Sequence, residues 1–227
     1  MRVLVAEHQP SMLRALERCL KEQGFRVDVS AEMDEADTRA RSVRYDLIVL
    51  SLALGGDDGL ELLRSWRQLG VRCPILAVAS AGSLAERIHC LNTGADDYLC
   101  RPFQLEEFQA HTSALLRRVY GVPNSLVCVH DLEIDTSTQS VRRAGRAVHL
   151  TRREYTLLEL LAFNRGKVVS RAVIWEHLYG DHKENPSNVV NAFIRSLRRK
   201  LDEGYDVPLI LTRYGRGYLL RGEDGES

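Results

Sequence analysis

Short apolar runs alternate with one-sided amphipathic stretches over the first 120 residues. Val3–Ala6, Phe25–Val29, Leu47–Leu50, Ile75–Ala79 and the brief Tyr98–Leu99 are predicted strands. Between them, Met12–Glu22, Met33–Ser42, Leu60–Gln68, Leu84–Asn92 and Leu105–Val119 repeat at the period of a helix, with Leu13, Leu16 and Leu20 on one stripe. Gly24 and Gly70 stand where helices should stop. Strands alternating with helices predict an α/β doubly wound parallel sheet of five strands, covered by helices on both faces. In such sheets chemistry sits in the loops at the carboxyl ends of the strands. Ser51 opens one of these loops, ahead of Gly55, Gly56 and Gly59.

The rhythm changes after Val119. The uncharged "YGVPNSL" breaks the last helix with Gly121 and Pro123 and predicts a linker over 120–125. Residues 1–119 and 126–223 are then separate domains. The second opens with apolar/polar alternation around turns at Asp135–Ser137 and Ala144–Gly145, which reads as small antiparallel strands. Thr151 caps a helix, with Glu154 three residues on completing a capping box. A second helix starts near Ser170 and a third runs from about Ser187 to Leu201. The closing "LILTRYGRGYLL" reads as two strands around a glycine turn.

Composition narrows the function. No apolar run approaches the roughly 20 residues that span a bilayer, and "MRVLVAEHQP" turns polar too soon to be a signal peptide. Five cysteines without metal-like spacing read as reduced thiols, so a cytoplasmic protein without bound metal or other cofactor is expected. The chain is neutral overall, but residues 1–120 carry 15 Lys+Arg against 17 Asp+Glu, whereas residues 142–216 carry 15 against 8. A neutral whole with a basic second half suggests a regulatory module joined to something that meets a polyanion.

The third helix of the second half shows how. On a helical wheel Val190, Ile194, Leu197 and Leu201 share the face that must be buried. Asn188, Ala192, Arg195 and Arg199 lie opposite, with Ser196 and Arg198 on the flanks. Arginine and asparagine carry the forks that match base edges in the major groove, and a small Ala192 permits close approach. Arg213, Tyr214 and Arg216 sit in the final hairpin, where a wing reaches a minor groove or phosphates. Double-stranded DNA is the expected partner.

With these residues in view, the chain resembles a response regulator of the OmpR/PhoB winged-helix subfamily over nearly its whole length. "YDLIVL", "DDGLELL" and "GADDYLCRPF" are similar to its receiver domain, and "LTRREYTLLELLAFNRGKVVSR", "NVVNAFIRSLRRKLD" and "TRYGRGYLL" to its effector. The resemblance implies a receiver joined to an α+β winged helix-turn-helix DNA-binding domain. It places Asn188, Ala192 and Arg195 towards bases and Ser196, Arg198 and Arg199 nearer the DNA backbone. The wing departs from the pattern: Tyr214 stands where the family usually has an arginine. The loop "LYGDHKENPS" corresponds to the stretch that such regulators present to RNA polymerase. Trp175, just before it, is expected in the core.

The receiver half departs further. A phosphate-accepting receiver needs an aspartate nucleophile, carboxylates for Mg²⁺, a hydroxyl and a lysine. Here the acidic pair is Glu7–His8, the acceptor position holds Ser51, the hydroxyl position Ala79 and the lysine position Arg101. Ser51 cannot form an acyl phosphate, and Mg²⁺ loses two carboxylates. Arg101 is expected to pair with Glu7 or Asp58, a salt bridge in place of the metal, which leaves a sensor kinase a doubtful partner. Tyr98, the aromatic switch position, is kept.

No nucleophile–base constellation appears, so an enzyme is not expected. The expected protein is a sequence-specific transcription regulator working without aspartyl phosphorylation. The alternatives are a regulator gated by a ligand or by redox through the vacated pocket or its thiols, and a receiver that docks a partner protein. Phosphorylation of Ser51 by a separate kinase is the sharper option for that residue. The resemblance also implies a homodimer through the receiver's fourth helix, fifth strand and fifth helix. Its charge pairs would be Arg87 with Glu107, Asp97 with His111, and Asp96 or a neighbour with Arg118. His111 replaces the usual arginine with a group whose charge depends on pH.

Overall fold

The computed structural model describes residues 1–56, 58–80, 83–122, 124–179 and 186–222, with side chains from residue 189 onward in the last segment. The chain divides into two compact units, one ending at Val119 and the other beginning at Tyr120.

In the first unit β1 (Arg2–Ala6), α1 (Pro10–Glu22), β2 (Arg26–Ser30), α2 (Met33–Ser42) and β3 (Leu47–Ser51) follow in order. Then come α3 (Gly59–Gln68), β4 (Ile75–Ala79), α4 (Leu84–Thr93), β5 (Asp97–Cys100) and α5 (Leu105–Val119). The strands form one parallel sheet in the order β2-β1-β3-β4-β5. Every residue of β3 and β4 is buried, as strands covered on both faces require. Leu50, Leu63, Trp66, Ile75 and Ala77 are packed in the main apolar cluster, and Trp66 Nε1 donates to Asp37 Oδ1 at 3.0 Å. Ser51 is the last residue of β3, one position further into the strand than its apolar run predicts. The strand order gathers the carboxyl ends of β1, β3, β4 and β5, and with them the candidate pocket, on one edge.

The second unit opens with an antiparallel sheet: β6 (Leu126–Val129), β7 (Leu132–Asp135), β8 (Ser140–Arg143) and β9 (Arg146–Ala147). Asp135 Oδ1 accepts the amide and hydroxyl of Ser137, closing the first expected turn. Ala144 and Gly145 both have positive φ, the backbone of a tight two-residue hairpin. Then follow α6 (Arg152–Phe163), α7 (Arg171–Tyr179), α8 (Pro186–Leu201) and a hairpin of β10 (Ile210–Arg213) and β11 (Gly217–Leu220). The Thr151–Glu154 capping box starts α6. Trp175 is buried and stacks on Tyr179. Val190, Ile194, Leu197 and Leu201 form the buried stripe of α8. No helix among the described residues is long and apolar enough to cross a membrane. Most of the "LYGDHKENPS" loop lies outside the described residues.

The hairpin is anchored by its backbone. Tyr218 exchanges two main-chain hydrogen bonds with Val169, ahead of α7, at 2.7 and 3.0 Å. This brings Gly217, at φ 145°, so close that a Cβ there would lie 2.1 Å from the Val169 carbonyl oxygen. Only glycine satisfies both the conformation and the approach. Gly217→Ala is expected to destabilise the second unit by about 3 kcal/mol. Chemical denaturation measures this, and an unchanged midpoint would mean that the hairpin is free to shift.

Candidate nucleic-acid interface and receiver pocket

Three strips run along α8. The buried stripe faces its own domain, and two polar flanks border an exposed crest. On one flank, Ser196 Oγ donates to Glu154 Oε1 at 2.6 Å, and Lys200 Nζ to Glu154 Oε2 at 2.6 Å and to the His149 carbonyl at 2.9 Å. Burial opposes ionisation of Glu154, but donors from Lys200, Ser196 and Thr151 overcome it and hold the carboxyl down at about 2. On the other flank, Arg198 donates to the Ile210 carbonyl from Nε (3.1 Å) and Nη2 (2.9 Å), and to Thr212 Oγ1 at 2.7 Å. Next to it, the Tyr218 hydroxyl donates to Asn191 Oδ1 at 2.7 Å.

Ser196 and Arg198, expected near the DNA backbone, are therefore engaged inside the domain. They sit between crest and buried stripe, where α6 and β10 reach them. The crest keeps Ala192, Arg195 and Arg199, all exposed. The side chain of Asn188 lies outside the described residues. Arg213, Tyr214 and Arg216 are exposed at the tip of the β10–β11 hairpin, Tyr214 at 93%. The Arg216 amide donates to the Arg213 carbonyl at 2.9 Å, closing a turn that sets an arginine on either side of the tyrosine. Asn191 was not singled out by sequence reasoning, although it falls three residues after Asn188 on the same polar edge.

The receiver edge is closed by charge. Glu7, 1% exposed, is paired with Arg101, whose Nη2 bonds its Oε2. The other oxygen accepts the Gln9 amide at 2.8 Å and lies 3.3 Å from His8 Nδ1. The same Arg101 Nη2 lies 3.4 Å from Ser51 Oγ. Of the two expected partners Arg101 takes Glu7, not Asp58, which is exposed at the start of α3. Ala79 ends β4 without a hydroxyl. Among the described residues no group of three His, Cys, Asp or Glu could hold a metal ion.

On the α4–β5–α5 face, Arg87, Glu107 and Arg118 are exposed, and Leu84, Ile88 and Leu91 form an exposed apolar stripe on α4. The other charges expected to cross an interface have partners in their own protomer. Asp97 Oδ2 lies 2.6 Å from His111 Nδ1, and Asp96 pairs with Arg67 and accepts the Ile75 amide at 2.7 Å. The reason is local: α5 packs against β5, and Asp96 lies beside the end of α3.

Comparison with known proteins agrees with both halves. Residues 3–113 match the family described as "Response regulator receiver domain", and residues 145–220 match "Transcriptional regulatory protein, C terminal". The chain belongs to the DNA-binding response regulators, transcription factors that join a receiver to a winged-helix domain. It is 35% identical over 227 residues to the cell cycle response regulator CtrA of Brucella ovis, covering all of this chain and 98% of that protein. Among solved structures, the Francisella response regulator 1452 receiver domain is 27% identical with a TM-score of 0.50, covering 52% of this chain and 98% of that one. The Thermotoga maritima OmpR/PhoB homologue DrrB is 25% identical with a TM-score of 0.47, covering 97% and 99%.

Arg195→Ala is expected to weaken binding to the preferred sequence by about 1–3 kcal/mol and relax preference at one position. Arg199→Ala should weaken binding to all sequences and lower the salt slope. Titration of specific and random duplexes separates the two, and wild-type behaviour in both variants would remove the crest from the interface.

Glu154 gives the domain a pH dependence. Its carboxyl is lowered from 4.5 to about 2 in the fold, so its stabilisation is complete above pH 4.5 and is lost as pH falls towards 2. Urea denaturation across that window should show the decline, and Glu154→Gln should flatten that part of the profile. An unchanged slope in the variant would assign the acid sensitivity elsewhere.

Proposed function

We propose that this chain is a sequence-specific transcription regulator whose receiver works without aspartyl phosphorylation, as a homodimer formed through its receiver domain. The observation that carries this reading is the Glu7–Arg101–Ser51 cluster. A phosphoryl group enters a receiver at an aspartate beside Mg²⁺. This pocket offers a serine hydroxyl instead, which a small acyl phosphate does not convert to an acyl phosphate. The positive charge beside Glu7 is a guanidinium of the protein itself, which disfavours a divalent cation at the same place.

DNA recognition is assigned to the crest of α8, Ala192 and Arg195 with Asn188 at its start, and to the backbone contact of Arg199. The hairpin residues Arg213, Tyr214 and Arg216 are assigned to the adjacent groove. The homodimer reading is supported by the exposed apolar stripe Leu84, Ile88 and Leu91, unusual for a solvated helix face, with Arg87, Glu107 and Arg118 available for charge pairing around it. With Asp97 engaged by His111 and Asp96 by Arg67, apolar burial rather than those charges would hold the two copies together. RNA polymerase is the further protein partner, met through the loop ahead of α8.

Treatment with a small phosphodonor and Mg²⁺ is expected to leave the mass, the sedimentation and the DNA affinity of the protein unchanged. An acid-labile phosphoryl adduct on any receiver residue would reject the proposal. An acid-stable phosphate on Ser51 after incubation with cell extract would replace it with regulation by a serine kinase. In the same sedimentation experiment the untreated wild type should dimerise and Ile88→Glu should not. A wild type that is monomeric at every concentration would reject the constitutive dimer.

A further inference from the structure

Tyr218 is the hub between the hairpin and both helices that precede it. Two guanidiniums lie over its ring, with the Arg171 carbon 5.1 Å and the Arg198 carbon 5.8 Å from its centre. Arg171 Nη2 also lies 3.4 Å from the hydroxyl oxygen. A guanidinium has only donors, so towards Arg171 the hydroxyl can only accept. Its own hydrogen must go elsewhere, and among the described residues the acceptor placed for it is Asn191 Oδ1 at 2.7 Å. Two cations beside the ring favour the same orientation, with the positive end of the O–H directed to a carbonyl oxygen.

With Oδ1 as the acceptor, the Asn191 carboxamide has a defined orientation. Its oxygen is turned inward to Tyr218, and its NH₂ group is left on the exposed side of α8, next to Arg195 on the wheel. A free asparagine offers one donor and one acceptor, the combination that matches the adenine edge in the major groove. Held as it is here, Asn191 keeps its oxygen turned to Tyr218, so its outward side presents the donors of the NH₂ group rather than a donor–acceptor pair.

From this geometry we infer that Asn191 is a further DNA-contacting residue that recognises hydrogen-bond acceptors only, with Tyr218 as its positioning residue. The acceptors that fit are O6 and N7 of guanine, O4 of thymine or a phosphate oxygen; adenine keeps only its N7 for such a group, because the bidentate adenine pairing also requires an acceptor on the protein. The inference rests on the crest of α8 facing DNA. It adds that the flank nearest the hairpin takes part, with its chemistry fixed in advance by a tyrosine hydroxyl.

The experiment uses the full chain, a duplex selected by the wild type from a random pool, and an unselected duplex, with Arg195→Ala alongside. Asn191→Ala is expected to bind the selected duplex about tenfold more weakly. If the acceptor is a base, repeating the selection with the variant loses one position of the preferred sequence while the unselected duplex is bound as before. If it is a phosphate, both duplexes weaken equally. Asn191→Asp keeps an acceptor for Tyr218 but replaces the outward donors with an oxygen, so it should bind worse than Asn191→Ala.

Tyr218→Phe keeps the ring beside its arginines and frees the carboxamide to turn. It should raise the acceptance of adenine at that position relative to the wild type if a base is read, or weaken both duplexes if a phosphate is. Wild-type affinity and base preference in Asn191→Ala, with Arg195→Ala impaired, would overturn the inference. Wild-type behaviour in Arg195→Ala as well would instead overturn the DNA-facing reading of α8.

Discussion

A carboxylate buried at the edge of a parallel sheet must have a partner, and in the receiver unit that requirement falls on Glu7. It follows β1, the second strand from one edge of the sheet, while Arg101 follows β5 at the opposite edge. Neighbouring strands lie about 4.8 Å apart, so the arginine has to reach past the ends of β4 and β3. The residues that end those strands are Ala79 and Ser51, both small. On the proposed reading, the departures from a phosphate-accepting receiver would thus not be independent. A long fork replaces a compact ammonium, a shortened side chain at the acceptor position leaves room for it, and the buried carboxylate receives a fixed cation. Removing either charge alone would leave the other buried and uncompensated, which is the costly half of such a pair.

The same logic of partnered polar groups shapes the effector unit, with a different result. Glu154 is nearly buried, and Ser196, Lys200 and the capping box all converge on it. Across the helix, Arg198 gathers β10, and Arg143, fully buried, lies 2.7 Å from Asp131 and 3.6 Å from Asp202 just beyond α8. Asp202 in turn accepts the amides of Leu209 and Ile210 as the chain enters β10. Helix and hairpin are therefore held in one arrangement before any ligand arrives. Ordering them on binding would cost conformational entropy, and a pre-formed reading surface avoids most of that cost.

Much of this was legible in the sequence wherever the signal is periodic or local. The ranges of α2, β4 and α5 agree with the apolar pattern to the residue, and Thr151 with Glu154 marks the start of α6. Trp175 is core, as its place in an apolar run suggests. What could not be read were contacts between residues far apart in the chain. Arg198 looks like one more basic residue on a basic helix until β10, 12 positions on, is seen to hold its guanidinium. Asn191 lies 27 positions from Tyr218, and nothing local marks either residue as the other's partner. Asp97 and His111 failed differently: the sequence places both on the expected pairing face but cannot say whether an ion pair closes within one chain or between two.

The charge asymmetry and the closed receiver together bear on how such a regulator would be controlled. On the proposed reading no phosphoryl group shifts an equilibrium between two receiver states, so the receiver would have no aspartyl input that changes its affinity for a second copy. On the proposed reading its two-fold pairing rests on the apolar stripe of α4, and apolar burial is insensitive to phosphodonors. The population of dimer then follows protein concentration by mass action, as it does for any dimer formed from reversible monomers. Two linked effector units also bind two half-sites far more tightly than one, because the second contact is intramolecular. Occupancy of paired sites would accordingly rise steeply with the amount of protein made. Control of such a regulator would lie in its synthesis and removal, with the receiver serving as a dimerisation module rather than a switch.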